Sequence, residues 1–191
     1  MRIIAGSRRG LKLKPPNGDA VRPTTDRVKE SVFNIIGRYL PAERVLDLFA
    51  GSGALGIEAL SRYSEHCVFV DFSRKSFLLV KHNIELSALS ESAELVFSDA
   101  IDYLNNAKEP FDIIFLDPPY NKGLISPVLD IIYRRKLLTD DGIVVIETEK
   151  GGESAEHFGF SNIRCAVYGR TVITILKRGG FDEDGGISGQ F

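Results

Sequence analysis

Asp112-Ile113-Ile114-Phe115-Leu116-Asp117-Pro118-Pro119-Tyr120-Asn121 is the stretch from which the fold is read. Its four consecutive apolar residues show no alternation, which marks a strand buried on both faces, as in a parallel sheet. The two prolines then forbid further pairing and an immediate helix. The chain therefore leaves the sheet at the strand's carboxyl end in a stiff loop carrying Asp117, Tyr120 and Asn121. In open α/β sheets that edge is where ligands bind. A carboxylate, rigid backbone carbonyls and a flat ring together suit the holding of a planar amine.

Upstream of this strand the pattern is strand then helix, repeated. Val45–Phe49, Cys67–Asp71 and Leu95–Phe97 read as strands, with helices over Ala54–Arg62, Ser73–Leu86 and Ala100–Ala107. A helix through Val128 to Arg135 and a fifth strand at Gly142–Glu147 follow the opening stretch. Asn162–Val167 and Thr171–Lys177, split by Tyr168-Gly169-Arg170, read as an antiparallel hairpin. The expectation is an α/β, Rossmann-like, doubly wound domain with a seven-stranded, mostly parallel sheet. A helix opening at Thr25 or Asp26 carries Val28, Val32, Ile35, Ile36, Tyr39 and Leu40 on one face and stops at Pro41. Before it, residues 1–22 read as a small basic β-hairpin: Arg8 and Arg9 sit at the turn, and Lys12 and Lys14 share one face. The domain division is a hairpin extension over 1–22, a body over 23–178 and a disordered acidic tail over 179–191.

The 191 residues are 43% hydrophobic and 26% charged, the composition of a soluble globular domain, and no apolar run is long enough to span a membrane. Cys67 and Cys165 lie in apolar stretches and read as buried, reduced thiols of a cytoplasmic protein. The scattered His66, His82 and His157 give no metal-ligand spacing, so no metal is expected. The net charge of −2 hides an asymmetry: residues 1–40 carry nine Lys/Arg against three acids, the remainder fifteen against twenty-three. A basic front on an acidic body suits docking of a polyanion, and the basic ribbon suits nucleic-acid phosphates.

Asp47-Leu48-Phe49-Ala50-Gly51-Ser52-Gly53-Ala54-Leu55-Gly56 contains G-x-G-x-x-G between a strand and a helix, and Asp71 ends the next strand. This pattern alone also describes a nicotinamide-dependent oxidoreductase. Asp47 favours a different ligand. A carboxylate just before the loop is a poor neighbour for pyrophosphate and suits the ammonium and sulfonium of S-adenosylmethionine. Asp71 can accept from ribose hydroxyls. Asp99, after the third strand, lies where an adenine edge would fall, or else caps the following helix.

The glycine loop together with Asp117-Pro118-Pro119-Tyr120 resembles amino-group methyltransferases that use S-adenosylmethionine. With Gly6-Ser7-Arg8-Arg9-Gly10 and Arg22-Pro23-Thr24-Thr25-Asp26-Arg27-Val28-Lys29-Glu30-Ser31-Val32-Phe33-Asn34, residues 1–178 resemble the RsmD family, bacterial enzymes that methylate a guanine N2 amine of 16S ribosomal RNA. The resemblance implies cofactor contacts at Asp47, Phe49, Gly51, Gly53, Asp71, Asp99 and Ala100, with S-adenosylhomocysteine as product. It implies that Asp117 and Pro118 grip the amine, that Tyr120 stacks on the base, and that Asn121 contacts it. Arg8, Arg9, Lys12, Lys14, Arg22 and Arg27 are the expected RNA contacts, and the partner is 16S rRNA in a partly or fully assembled small subunit. The chain is expected to act as a monomer. A non-catalytic RNA-binding factor, or an amine methyltransferase acting on DNA, protein or another RNA base, are the competing readings.

Overall fold

The computed structural model describes residues 1–16, 26–119, 122–157 and 159–179. The expectations placed on Arg22, Thr25, Tyr120, Asn121 and tail residues 180–191 lie outside that set.

Seven strands form one sheet: β1 (Arg44–Asp47), β2 (His66–Asp71), β3 (Ala93–Phe97), β4 (Phe111–Leu116), β5 (Leu138–Glu149), β6 (Phe160–Tyr168) and β7 (Thr171–Arg178), in the order β3-β2-β1-β4-β5-β7-β6. The first five are parallel, and β7 pairs antiparallel with both β5 and β6. The order reverses direction between β1 and β4, which opens a crevice beyond their carboxyl ends.

Helices α1 (Asp26–Ile35), α2 (Ala54–Ser61) and α3 (Arg74–Ser87) cover one face; α4 (Ala100–Asn106) and α5 (Ile125–Arg134) cover the other. Successive strand residues feed opposite layers. Val45, Ile113, Phe115 and Val145 join Val32, Phe33, Ile57 and Val80 on the first face, while Leu46, Ile114, Leu116 and Ile146 meet Leu104, Val128 and Ile132 on the second. This two-sided burial is why the central strands read as unbroken apolar runs.

The structure departs from the sequence reading at four places. Helix α1 ends at Ile35 rather than Leu40, because Gly37–Tyr39 tightens into a 3-10 turn with Tyr39 N–H donating to Ile36 O at 2.8 Å. Strand β5 begins at Leu138, paired with Phe111, ahead of the expected Gly142; the exposed Asp140 and Asp141 masked this start. Cys165 is exposed on β6, while Cys67 is buried. A regular N-terminal β-hairpin is not shown. Residues 1–13 double back, but their ladder is one isolated antiparallel bridge, Arg2 to Lys12. Ile3 and Leu13 of this arm are buried in the first core layer, leaving Lys12 and Lys14 exposed.

Candidate active site

β1 delivers Asp47 and β4 delivers Asp117 to the same edge, since Asp47 is registered against Phe115, two residues before Asp117. Extending the Leu116–Ile146 register sets Asp117 beside Glu147 at the end of β5. Strand alternation turns Asp47, Asp117 and Glu147 towards the face covered by α1 to α3. Asp47 is 3% exposed and accepts a hydrogen bond from Gly56 N–H at 3.0 Å. Burial, opposed by that bond and reinforced by nearby Asp71, raises its pKa to about 7. The Asp117 carboxyl is pushed well above the usual carboxylate range, by desolvation first and then by Glu147 and Asp47, although part of the residue retains solvent access.

Between Asp47 and α2 the chain turns tightly. Gly51 (φ +56°) and Gly53 (φ +77°) occupy the left-handed region that glycine adopts without strain. A side chain at Gly51 would meet only Phe49 O within 4 Å, so this backbone lies open to a ligand. Gly56 serves packing: a Cβ there would fall 2.3 Å from the Phe69 ring. Asp71 braces the loop, its Oδ2 accepting from Gly51 N–H at 2.9 Å and its Oδ1 from Ser73 N–H at 2.8 Å. A carboxylate offers about four lone-pair sites, so acceptor capacity remains for two hydroxyls. Phe72, directly after it, is 62% exposed. A buried acid at the loop's foot, open backbone at a helix N-terminus and a half-exposed acid on the next strand fit a nucleoside with a cationic amino-acid end.

Residues 1–177 match the family model described as conserved hypothetical protein 95. This chain belongs to that family. It is 44% identical over 184 residues to a Bacillus subtilis protein provisionally named rRNA methyltransferase YlbH, an alignment spanning 94% of this chain and 100% of the relative. It is 39% identical over 180 residues to the ribosomal RNA small subunit methyltransferase D of Escherichia coli K12, spanning 93% and 90% of the two chains. Among solved structures, the Escherichia coli protein YhhF, provisionally titled a methyltransferase, superposes with a TM-score of 0.82 at 34% identity, covering 93% of this chain and 97% of that one. A Podospora anserina methyltransferase solved with S-adenosylhomocysteine shares the fold at 22% identity (TM-score 0.57, covering 69% and 55%). The family is one of S-adenosylmethionine-dependent methyltransferases.

Within this family framework the remaining residues divide clearly. Asp47, Gly51, Gly53, Asp71, Asp117 and Pro118 converge on the crevice. Phe49 is half-buried against the second core layer, and Ala100 is buried at the start of α4. Asp99 caps α4, accepting from Ile101 N–H at 2.8 Å and Asp102 N–H at 3.4 Å. Arg9, Lys12, Lys14 and Arg27 are exposed. Arg8 is committed internally: its Nε donates to Ser87 O at 2.7 Å, closing the carboxyl end of α3.

Three features escaped sequence reading. Glu147, which the sequence shows only as the last residue of the fifth strand, is 6% exposed. Lys29 and Glu58 form an ion pair at 3.0 Å with both side chains fully buried. Asn83 is fully buried on the inner stripe of α3 beside Val80, Ile84 and Ser87. A polar residue on an apolar stripe was the legible signal for Asn83. Glu58 gave none, because acids are common on helices.

Proposed function

We propose that this chain transfers a methyl group from S-adenosylmethionine to the exocyclic N2 amine of a guanine in 16S rRNA of the small ribosomal subunit. The observation that carries the reading is the meeting of Asp117-Pro118 with the Asp47 glycine loop at the β1/β4 switch point. The small-subunit rRNA methyltransferases among its relatives support RNA as substrate. The resemblance of Arg22–Asn34 to the RsmD pattern supports guanine.

Asp47 takes the ammonium of the amino-acid end, the α2 N-terminus faces its carboxylate, and Asp71 receives the ribose hydroxyls. Phe72 offers its exposed ring to the adenine. Asp99 and Ala100 border that end of the site through the backbone rather than the capped carboxylate. S-adenosylmethionine, when bound, supplies a methyl group already activated by its sulfonium. The chain's task is then to hold the nucleophile. Asp117 accepts one amine N–H and the Pro118 carbonyl accepts the other, which fixes the nitrogen and favours the pyramidal form that exposes its lone pair. A raised Asp117 pKa makes this carboxylate a strong acceptor and a ready recipient of the proton shed on N-methylation. Tyr120 stacks on the base and Asn121 contacts it. The guanine enters flipped out, since a paired base hides this amine. Arg9, Lys12, Lys14, Arg22 and Arg27 meet phosphates, the arm over 1–22 serving as the RNA-binding extension of a catalytic body over 23–178.

The buried charge of Asp47 beside the loop disfavours the pyrophosphate that a nicotinamide cofactor would bring there. The deciding test is Asp117→Asn. Calorimetry should show S-adenosylhomocysteine binding within a few-fold of wild type while methyl transfer falls by about 10²-fold or more. Unchanged transfer would remove Asp117 from the chemistry.

A further inference from the structure

We propose that Asn83 is a positioning residue that couples cofactor occupancy to the N-terminal arm, so that S-adenosylmethionine and RNA strengthen each other's binding. The inference rests on the reading of the glycine loop as the cofactor site.

Asn83 sits on α3, outside both the glycine loop and the arm, yet its amide joins them. Its Oδ1 accepts from Lys14 N–H at 2.8 Å. Its Nδ2 donates to Lys14 O at 3.0 Å and to Ser52 O at 2.8 Å. Ser52 lies between Gly51 and Gly53. Both amide hydrogens and the oxygen are therefore used, and two carbonyls plus one N–H fix which way the amide points. The side chain is fully buried, so water cannot replace a lost partner. A shift of the Ser52 carbonyl must draw Asn83 with it, and Asn83 holds Lys14 by both backbone groups.

A second link reaches the same loop residue from the arm's other half. Ser52 Oγ lies 3.7 Å from Met1 Sδ, and Leu13 N–H donates to Met1 O at 3.1 Å. The arm thus touches Ser52 from Met1 directly and from Lys14 through Asn83. Lys14 presents an exposed ammonium on the surface assigned to phosphate. Ordering the loop around a nucleoside accordingly orders the backbone that aims this cation. Linkage then requires the reverse: RNA held at the arm tightens the cofactor site by the same factor.

The first measurement uses the wild-type chain and S-adenosylhomocysteine alone, followed by hydrogen exchange. Coupling predicts slower exchange at Gly53 and at the Leu13 and Lys14 amides together. Protection confined to the glycine loop would overturn the coupling and leave the cofactor site standing; no protection anywhere would overturn the cofactor reading itself. The second measurement is a binding cycle with small ribosomal subunits lacking the modification. Wild type should bind them about 5-fold or more tightly with S-adenosylhomocysteine present. Asn83→Asp keeps the acceptor for Lys14 N–H but sets oxygen against both carbonyls, and should bring that ratio towards one. A merely structural Asn83 would weaken both affinities and leave the ratio at its wild-type value, which would refute the proposal.

Discussion

Asp47 and Asp117 are neighbouring acids held above the usual carboxylate range, and each has its own pH consequence. For Asp47 the folded pKa of about 7 exceeds the ordinary 3.8. A carboxyl raised in this way stabilises the fold fully below pH 4, and that contribution is lost as pH rises through 7. Without ligand, Asp47→Asn should therefore raise stability at pH 8 by up to ~4 kcal/mol and change it little near pH 4, read from denaturant unfolding. Binding runs the other way. An ammonium ligand needs the ionised acid, so S-adenosylhomocysteine affinity by calorimetry should increase from pH 6 to pH 8; a flat profile would mean that Asp47 does not meet the ammonium. Desolvation first, and then the adjacent Glu147 and Asp47, raise Asp117 as well. At saturating S-adenosylmethionine, where the bound ammonium keeps Asp47 ionised, the acid limb of kcat should accordingly lie well above the range of an exposed carboxylate and disappear in Asp117→Asn. These two acids were legible in the sequence, Asp47 from its place just before the glycine loop and Asp117 from its place after an apolar strand. Glu147 was not, because its burial depends on pairing with β7, a partner far along the chain.

Helix α2 links the glycine loop at its N-terminus to the basic arm along its length. Glu58 accepts from Ile4 N–H at 2.8 Å, Ala5 N–H at 3.0 Å, Lys29 Nζ at 3.0 Å and Arg62 Nε at 2.9 Å. Lys29 Nζ donates onward to Arg2 O at 2.6 Å. Lys29→Met leaves the buried Glu58 with Arg62 as its remaining cation partner among the described residues and takes the donor from Arg2 O, so it should cost a few kcal/mol, up to about 3–5, in denaturant unfolding. Gly6 approaches the same helix closely: its φ is +83°, and a Cβ would lie 1.7 Å from Ser61 O. Gly6→Ala should lift the arm's turn from α2, which exchange at Ser7 N–H, bonded to Ser61 O at 2.7 Å, would report. Hydrophobic period revealed the strands and helices, since two-sided burial and amphipathic faces are local properties. The arm's docking was hidden. The hydrogen bonds that dock it on α2 and α3 run to Glu58, Ser61 and Asn83, fifty and more residues away, and only the folded chain brings these polar groups inside.

At the scale of the molecule, charge is divided between a basic front and an acidic body, and the sheet's crevice opens between β1 and β4. Exposed cations on the arm should contribute through counterion release. Arg9→Ala and Lys12→Ala should each weaken binding to small subunits and lower the salt dependence of that binding by about one unit in log–log slope. An unchanged slope would place RNA on another surface. The central claim is that this edge methylates a guanine amine of small-subunit RNA, and the direct measurement is transfer of labelled methyl from S-adenosylmethionine to small subunits lacking the modification, followed by nucleoside analysis. The expected product is N2-methylguanosine, formed by wild type and lost in Asp117→Asn. Label in N6-methyladenosine, or none in the RNA at all, would contradict it.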